Sequence, residues 1–204
     1  MVLVQDWVDS IRPDVPEPLD SLVARQVRYA IQEFFRLSEA WRHTERLPVK
    51  DINVLLQDMP AETYVASTRY AYFEPEGRDG RRKLVSTLPH RIESTNQISE
   101  FSHSGNTILL DAAEKGTLEV SVVVQPNRNI DSVPDSLGDK WFDVIRRGAV
   151  ARLLSMPEQP WTNGRAAAFY ENHFREGIEL AKRETRRDRS RPKRAVQFNK
   201  GFSW

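Results

Sequence analysis

Two residues in this sequence could jointly hold a metal ion: His173 and Glu176, three apart in a segment of helical periodicity, would project from one helix face. A protein metal site needs at least three ligands, and charged neighbours at this spacing are ordinary on a solvated helix. The other three of the four histidines, His43, His90 and His103, stand singly in different segments. Carboxylate pairs that might share acid/base work, Asp51 with Asp58 and Glu74 with Glu76, lie in strand-like or loop-like stretches where a solvated surface accounts for them. The nine glycines form neither a phosphate-cradling Walker loop nor a GxGxxG turn, and no serine sits in a GxSxG elbow. Cysteine is absent, which removes disulfides, thiolate metal ligands and cysteine nucleophiles and fits a reducing compartment. The sequence therefore predicts no catalytic residues, no metal and no cofactor.

Charge and apolar placement near the end carry more information. Lys182 to Arg194 holds eight basic residues against two acidic ones, a local charge of +6, so the chain total of +1 leaves −5 elsewhere. Arg186, Arg187, Arg189, Arg191, Lys193 and Arg194 could neutralise phosphates without reading sequence, pair with acids on a partner, or simply solvate a helix end. Beyond them, Val196, Phe198, Phe202 and Trp204 follow a polar linker, and such side chains gain free energy only when buried. Val196 and Phe198 alternate as an added strand would require. The segment from Ala195 to Trp204 thus reads as an anchor for a partner or neighbouring subunit, the other reading being a fold back onto its own core.

Helices must present these groups. Asp20 or Ser21 is placed to cap a helix running to about His43, with Val23, Val27, Ala30, Ile31, Phe34 and Trp41 on its apolar side. A shorter helical stretch precedes it around Asp6 to Arg12, before Pro13, Pro16 and Pro18. Periodicity resumes over residues 136–156, where Gly148, Ala149 and Ala151 leave room for a second backbone, and again over 163–187 after a Pro160-Trp161 turn, with Thr162 or Asn163 as cap. The short connection makes these two helices antiparallel neighbours.

Between the helical parts, residues 49–125 are rich in β-branched and aromatic residues broken by turn formers. Strands are expected near Val49–Gln57, Tyr64–Phe73, Lys83–Ser86, Thr107–Asp111 and Thr117–Gln125, the last two joined as a hairpin through Gly116. Glu74 to Arg82 reads as an exposed loop tip. The segment from Pro89 to Ser104 is polar and takes no assignment. The fold expected is α+β, mainly α: a helical bundle, made of one long helix and a C-terminal antiparallel helix pair, with a β-strand insertion and an extended C-terminal tail. Residues 1–188 would form one domain and 189–204 the arm. No apolar run reaches the roughly 18 residues of a membrane span and no basic leader opens the sequence, so the reading is a soluble cytosolic protein without membrane contact.

The order of these elements resembles that of the head-to-tail adaptor proteins of tailed bacteriophages. The resemblance rests on Phe34-Phe35-Arg36-Leu37-Ser38-Glu39-Ala40-Trp41, on Gly148 through Trp161, and on Ala168-Phe169-Tyr170 and Phe174-Arg175-Glu176-Gly177-Ile178. It implies a non-enzymatic virion protein of the neck or connector, assembled in the host cytoplasm. Its partners would be the portal protein above, neighbouring copies in a ring that is commonly twelvefold, and a tail or stopper protein below, around the channel through which DNA passes. It also implies portal or neighbour docking by Val196, Phe198, Phe202 and Trp204, and nonspecific DNA-channel contact by the basic run. The alternative is a nonspecific DNA-binding or regulatory protein acting through the basic tail.

Overall fold

The computed structural model describes residues 1–77 and 80–190, the last three by their helical backbone alone. The chain opens with a two-residue strand β1 (Val2–Leu3) and helix α1 (Val4–Ile11), whose Trp7, Val8 and Ile11 are buried. Helix α2 (Asp20–Ser38) follows; Leu19 occupies its cap position without a side-chain bond, and Asp20 lies in the first turn, where the helix dipole favours negative charge. The helix ends earlier than its apolar spacing suggested. Glu39 adopts a left-handed φ of 53° and donates its N–H to the Phe35 carbonyl, after which the chain enters strand β2 (Arg42–Val49). Trp41 follows Phe34 at a helical interval of seven, but it reaches the core from an extended segment, with its ring 5.1 Å from that of Phe35.

Next come β3 (Asn53–Leu55), β4 (Thr63–Pro75), β5 (Arg82–Ser86), a 3-10 turn at Pro89–Arg91, β6 (Glu100–Ser104), β7 (Thr107–Leu110), β8 (Gly116–Pro126) and β9 (Ser132–Val133). Seven of the strands form one sheet in the order β2-β8-β4-β5-β6-β7-β3, antiparallel except for β5 with β6, and it curls into a nearly closed barrel. β1 and β9 pair separately. This overturns the expected helical bundle with a strand insertion. The β portion is an architectural half whose inward residues, Val65, Phe73, Leu84, Phe101, Ile108 and Leu118 among others, belong to one core continuous with that of the helices. Its pairings join strands far apart in sequence, which local patterning cannot register.

β7 and β8 do not form the expected hairpin. β7 lies between β6 and β3, and β8 lies between β2 and β4. Gly116 has a different role from the loop glycine inferred: a Cβ there would stand 2.3 Å from the Glu74 carbonyl oxygen and 2.6 Å from the Phe73 ring, so its hydrogen lets β4 approach. The alternating Leu118, Val120, Val122 and Val124 of β8 all face inward and are buried.

Helices α3 (Asp135–Leu154) and α4 (Gly164–Ser190) complete the described residues. Asn163 caps α4 by accepting the Ala166 N–H at 3.1 Å. The two helices run antiparallel, as the contacts Lys140–Glu184, Gly148–Phe174 and Val144–Gly177 require. α3 packs on α2 through Trp141 against Phe34, ring centres 5.3 Å apart, and α1 locks onto α3 by a stacked Trp7–Phe142 pair whose indole N–H donates to the Phe142 carbonyl at 3.0 Å. The helical layer joins the barrel where Val124 donates to the Trp41 carbonyl and Arg42 donates to the Thr185 carbonyl of α4.

Candidate interaction surfaces

The residues weighed for chemistry are dispersed. His173 bonds the Phe169 carbonyl of its own helix through Nδ1, His43 lies 3.4 Å from Glu45, His90 belongs to the 3-10 turn and His103 to β6. Among the described residues no group of three or more histidines, aspartates or glutamates is arranged to hold a metal ion. Glu74 is tied to Arg46 at 3.1 Å, and Asp51 accepts the N–H of its neighbour Ile52.

Two buried carboxylates that sequence reading passed over hold the barrel instead. Glu45 on β2 shares the inward side with Leu47, is 7% exposed, and accepts the N–H of Gln57 at 2.9 Å and of Asp58 at 3.3 Å. Those donors follow β3, at the other edge of the seven-strand sheet, so one side chain bridges the two edges where a backbone ladder would otherwise close the barrel. Asp111, just beyond β7, accepts from the Ser99 N–H at 3.0 Å, the Ser99 hydroxyl at 2.5 Å and the Thr95 hydroxyl at 3.1 Å. Burial pushes its carboxyl up, but the hydrogen bonds from Ser99, Glu100 and Thr95 together outweigh that and hold it below the ordinary aspartate value. His103 moves down from the usual imidazole range because burial disfavours its charged form.

The proposed basic run lies only partly within the described residues. Arg186 and Arg187 are exposed near the end of α4, past Thr185, the last buried residue of the helix among those whose side chains are described. α4 carries acids as well: Lys182 hydrogen-bonds Glu179 and lowers its pKa, with the charges of Lys182, Arg186 and Arg183 adding to that effect. Helical backbone continues through Arg189 to Ser190, two residues into the stretch assigned to the arm. The side chain of Arg189 and all of Arg191, Lys193, Arg194, Val196, Phe198, Phe202 and Trp204 lie outside the described residues.

A second surface emerges from strand register. Pairing places Arg46 of β2 and Tyr72 of β4 on either side of Glu119 of β8, and Lys83 of β5 beside Tyr72, all on the outward face of the barrel. Tyr70 joins them with its ring 5.4 Å from that of Tyr72, and the Arg81 guanidinium lies 4.0 Å over the Tyr72 ring. Arg81 also bonds Glu119 at 2.6 Å, while Arg46 reaches Glu74 and Glu119. The signal was present in the sequence: Tyr64, Tyr70 and Tyr72 are spaced by even numbers in one strand, which places them on one face. A concavity of about 380 Å³ adjoins this face, and a second of about 580 Å³ lies between the helices, rimmed by the Arg152–Glu33 and Arg175–Glu171 ion pairs.

No protein-family profile matches the chain, and no curated protein matches it significantly.

Proposed function

We propose that this protein is a ring-forming head-to-tail adaptor of a tailed bacteriophage, a structural virion component that joins the portal to a tail or stopper protein around the DNA channel. The observation that carries the reading is the course of α4. Over 27 residues, roughly 40 Å of helix, it is packed against α3, α2 and the start of β2 as far as Thr185, and it then leads through exposed Arg186 and Arg187 toward a segment rich in arginine and then in aromatic residues. A helix packed along its length and followed in sequence by such a segment suits a protein whose work is binding. The helical stretches that carry the adaptor resemblance, in α2 and in the α3–turn–α4 unit, also form one packed layer. Portal docking would fall to Val196, Phe198, Phe202 and Trp204, and channel contact to the basic run.

The test is to mix the purified protein with portal and measure mass by size-exclusion with light scattering, then image the complex. A ring of adaptor copies seated on one end of the portal is the expected outcome. Absence of any complex across low and moderate salt would sink the proposal, and tight duplex-DNA binding in that case would favour a nonspecific DNA-binding protein.

A further inference from the structure

β4 does not follow β8 evenly. Its register slips between Thr68 and Tyr70, which makes Arg69 an extra residue and turns its side chain relative to a regular strand. Beside this bulge the backbone ladder of β5 with β4 stops: the two pair only from Ala71 with Leu84 to Phe73 with Arg82, and Val85 and Ser86 pair in parallel with β6 instead, the Ser86 hydroxyl remaining 3.2 Å from that of Thr68 on β4. The cleft of about 380 Å³ lies where this ladder stops. Arg69, Tyr70, Lys83 and Ser86 supply its polar wall, and Val85 and Phe101 its apolar part. Val85 is 62% exposed, an unusual position for a β-branched side chain beside buried Leu84 and Phe101.

Charge on this face is unevenly committed. Glu74 and Glu119 are engaged by Arg46 and Arg81, whereas Lys83 has no carboxylate partner among the described residues. Tyrosine and arginine together are the residue types over-represented where proteins meet.

We infer that the cleft between β4 and β5 receives an extended segment of another protein, one that presents a carboxylate next to a β-branched or aromatic side chain. The carboxylate meets Lys83, and the apolar side chain covers Val85 above Phe101. Tyr70 and Tyr72 flank the entering chain. A nucleic-acid strand fits less well, because a run of phosphates calls for several cations, whereas Lys83 is a single cation without a carboxylate partner among the described residues of this cleft. The inference does not depend on ring formation or portal binding.

The experiment uses the full chain, labelled with nitrogen-15 and titrated with a short synthetic peptide that alternates glutamate with valine and phenylalanine. A matched peptide with lysine in place of glutamate and an oligothymidylate serve as the other probes. The acidic peptide is expected to shift saturably the amide signals of Arg69, Tyr70, Lys83, Val85 and Ser86. Lys83→Glu should weaken that binding about tenfold, and Lys83→Gln by less, with the spectrum otherwise that of the folded parent. The lysine peptide should leave these signals in place. Three outcomes overturn the inference: no shift of these amides at saturating acidic peptide, equal binding of the lysine peptide, or tighter occupation of the same amides by oligothymidylate.

Discussion

Glu45 places a polar carboxyl group in a nearly closed interior, tolerated because backbone donors from beyond β3 and the nearby His43 surround its oxygens. Glu45→Ala leaves those donors without an acceptor and loosens the seam between the sheet edges. Urea unfolding should show a loss of about 1–3 kcal/mol, and Glu45→Gln, which keeps one acceptor oxygen, a smaller one. Asp111 and His103 make the barrel acid-sensitive in two steps of known sign. The folded pKa of His103 lies below 6.5, so as pH falls through that value the unfolded chain takes up the proton first and stability declines. The folded pKa of Asp111 lies below 3.8, so its stabilisation is complete above that value and is lost as pH falls below it toward the folded value. Melting temperature against pH checks both: His103→Gln should flatten the upper step, and Asp111→Asn should lower stability at neutral pH while removing the lower step. A parent and His103→Gln with the same slope between about pH 6.5 and 5 would show that this imidazole does not govern the upper step.

At the scale of elements, the α3–α4 contact depends on two missing methyl groups. A Cβ on Gly177 would meet Val144 at 2.4 Å, and one on Gly148 would meet the Phe174 ring at 2.7 Å. Gly177→Ala gains up to about 1 kcal/mol of helix propensity, but the clash costs about 1–3 kcal/mol, so the net effect is destabilising. Adding Val144→Ala should recover part of the loss, and thermal melting of the single and double variants measures it. Gly164→Ala, where nothing lies within 4 Å, should be neutral or slightly stabilising. The contrast separates crowding from propensity. It also shows what the sequence could reveal. Gly148 stands among alanines at helical spacing, so its close approach was legible from neighbours on one helix, whereas the role of Gly177 depends on Val144 across the interface. Composition placed β3, β4, β5, β7 and β8 but not their partners, and it missed β2, whose start was read as helix, and β6, which lies in the unassigned polar stretch. Gly116 resembled a turn former because nothing local signals that the Glu74 carbonyl, more than forty residues earlier, passes within 2.3 Å of its Cβ position. Glu45 escaped notice for the same reason, since its donors lie across the barrel.

For the molecule as a whole, the question is where the apolar end of the chain gains its free energy. The described residues already form a continuous core through helices and barrel: Phe174, Ile178 and Ala181 of α4 are buried against it, and Thr185, 7% exposed, is the last buried residue among the described side chains of that helix. Burial of a large aromatic side chain contributes roughly 1.5–3 kcal/mol, so Phe198, Phe202 and Trp204 together could supply several kcal/mol to whichever surface they meet, less the cost of ordering the linker. If that surface belongs to the portal, the free protein does not depend on them. Truncation after Arg194 should then leave the circular-dichroism spectrum and melting temperature of the isolated protein unchanged while abolishing its co-assembly with portal, and a ring would amplify the loss because every copy forfeits its contact at once. A fall in melting temperature of several degrees on truncation would instead assign these side chains to the protein's own core. Portal rings that form as readily without them would move the contact to another surface, for which the tyrosine and arginine face of the barrel is the next to mutate.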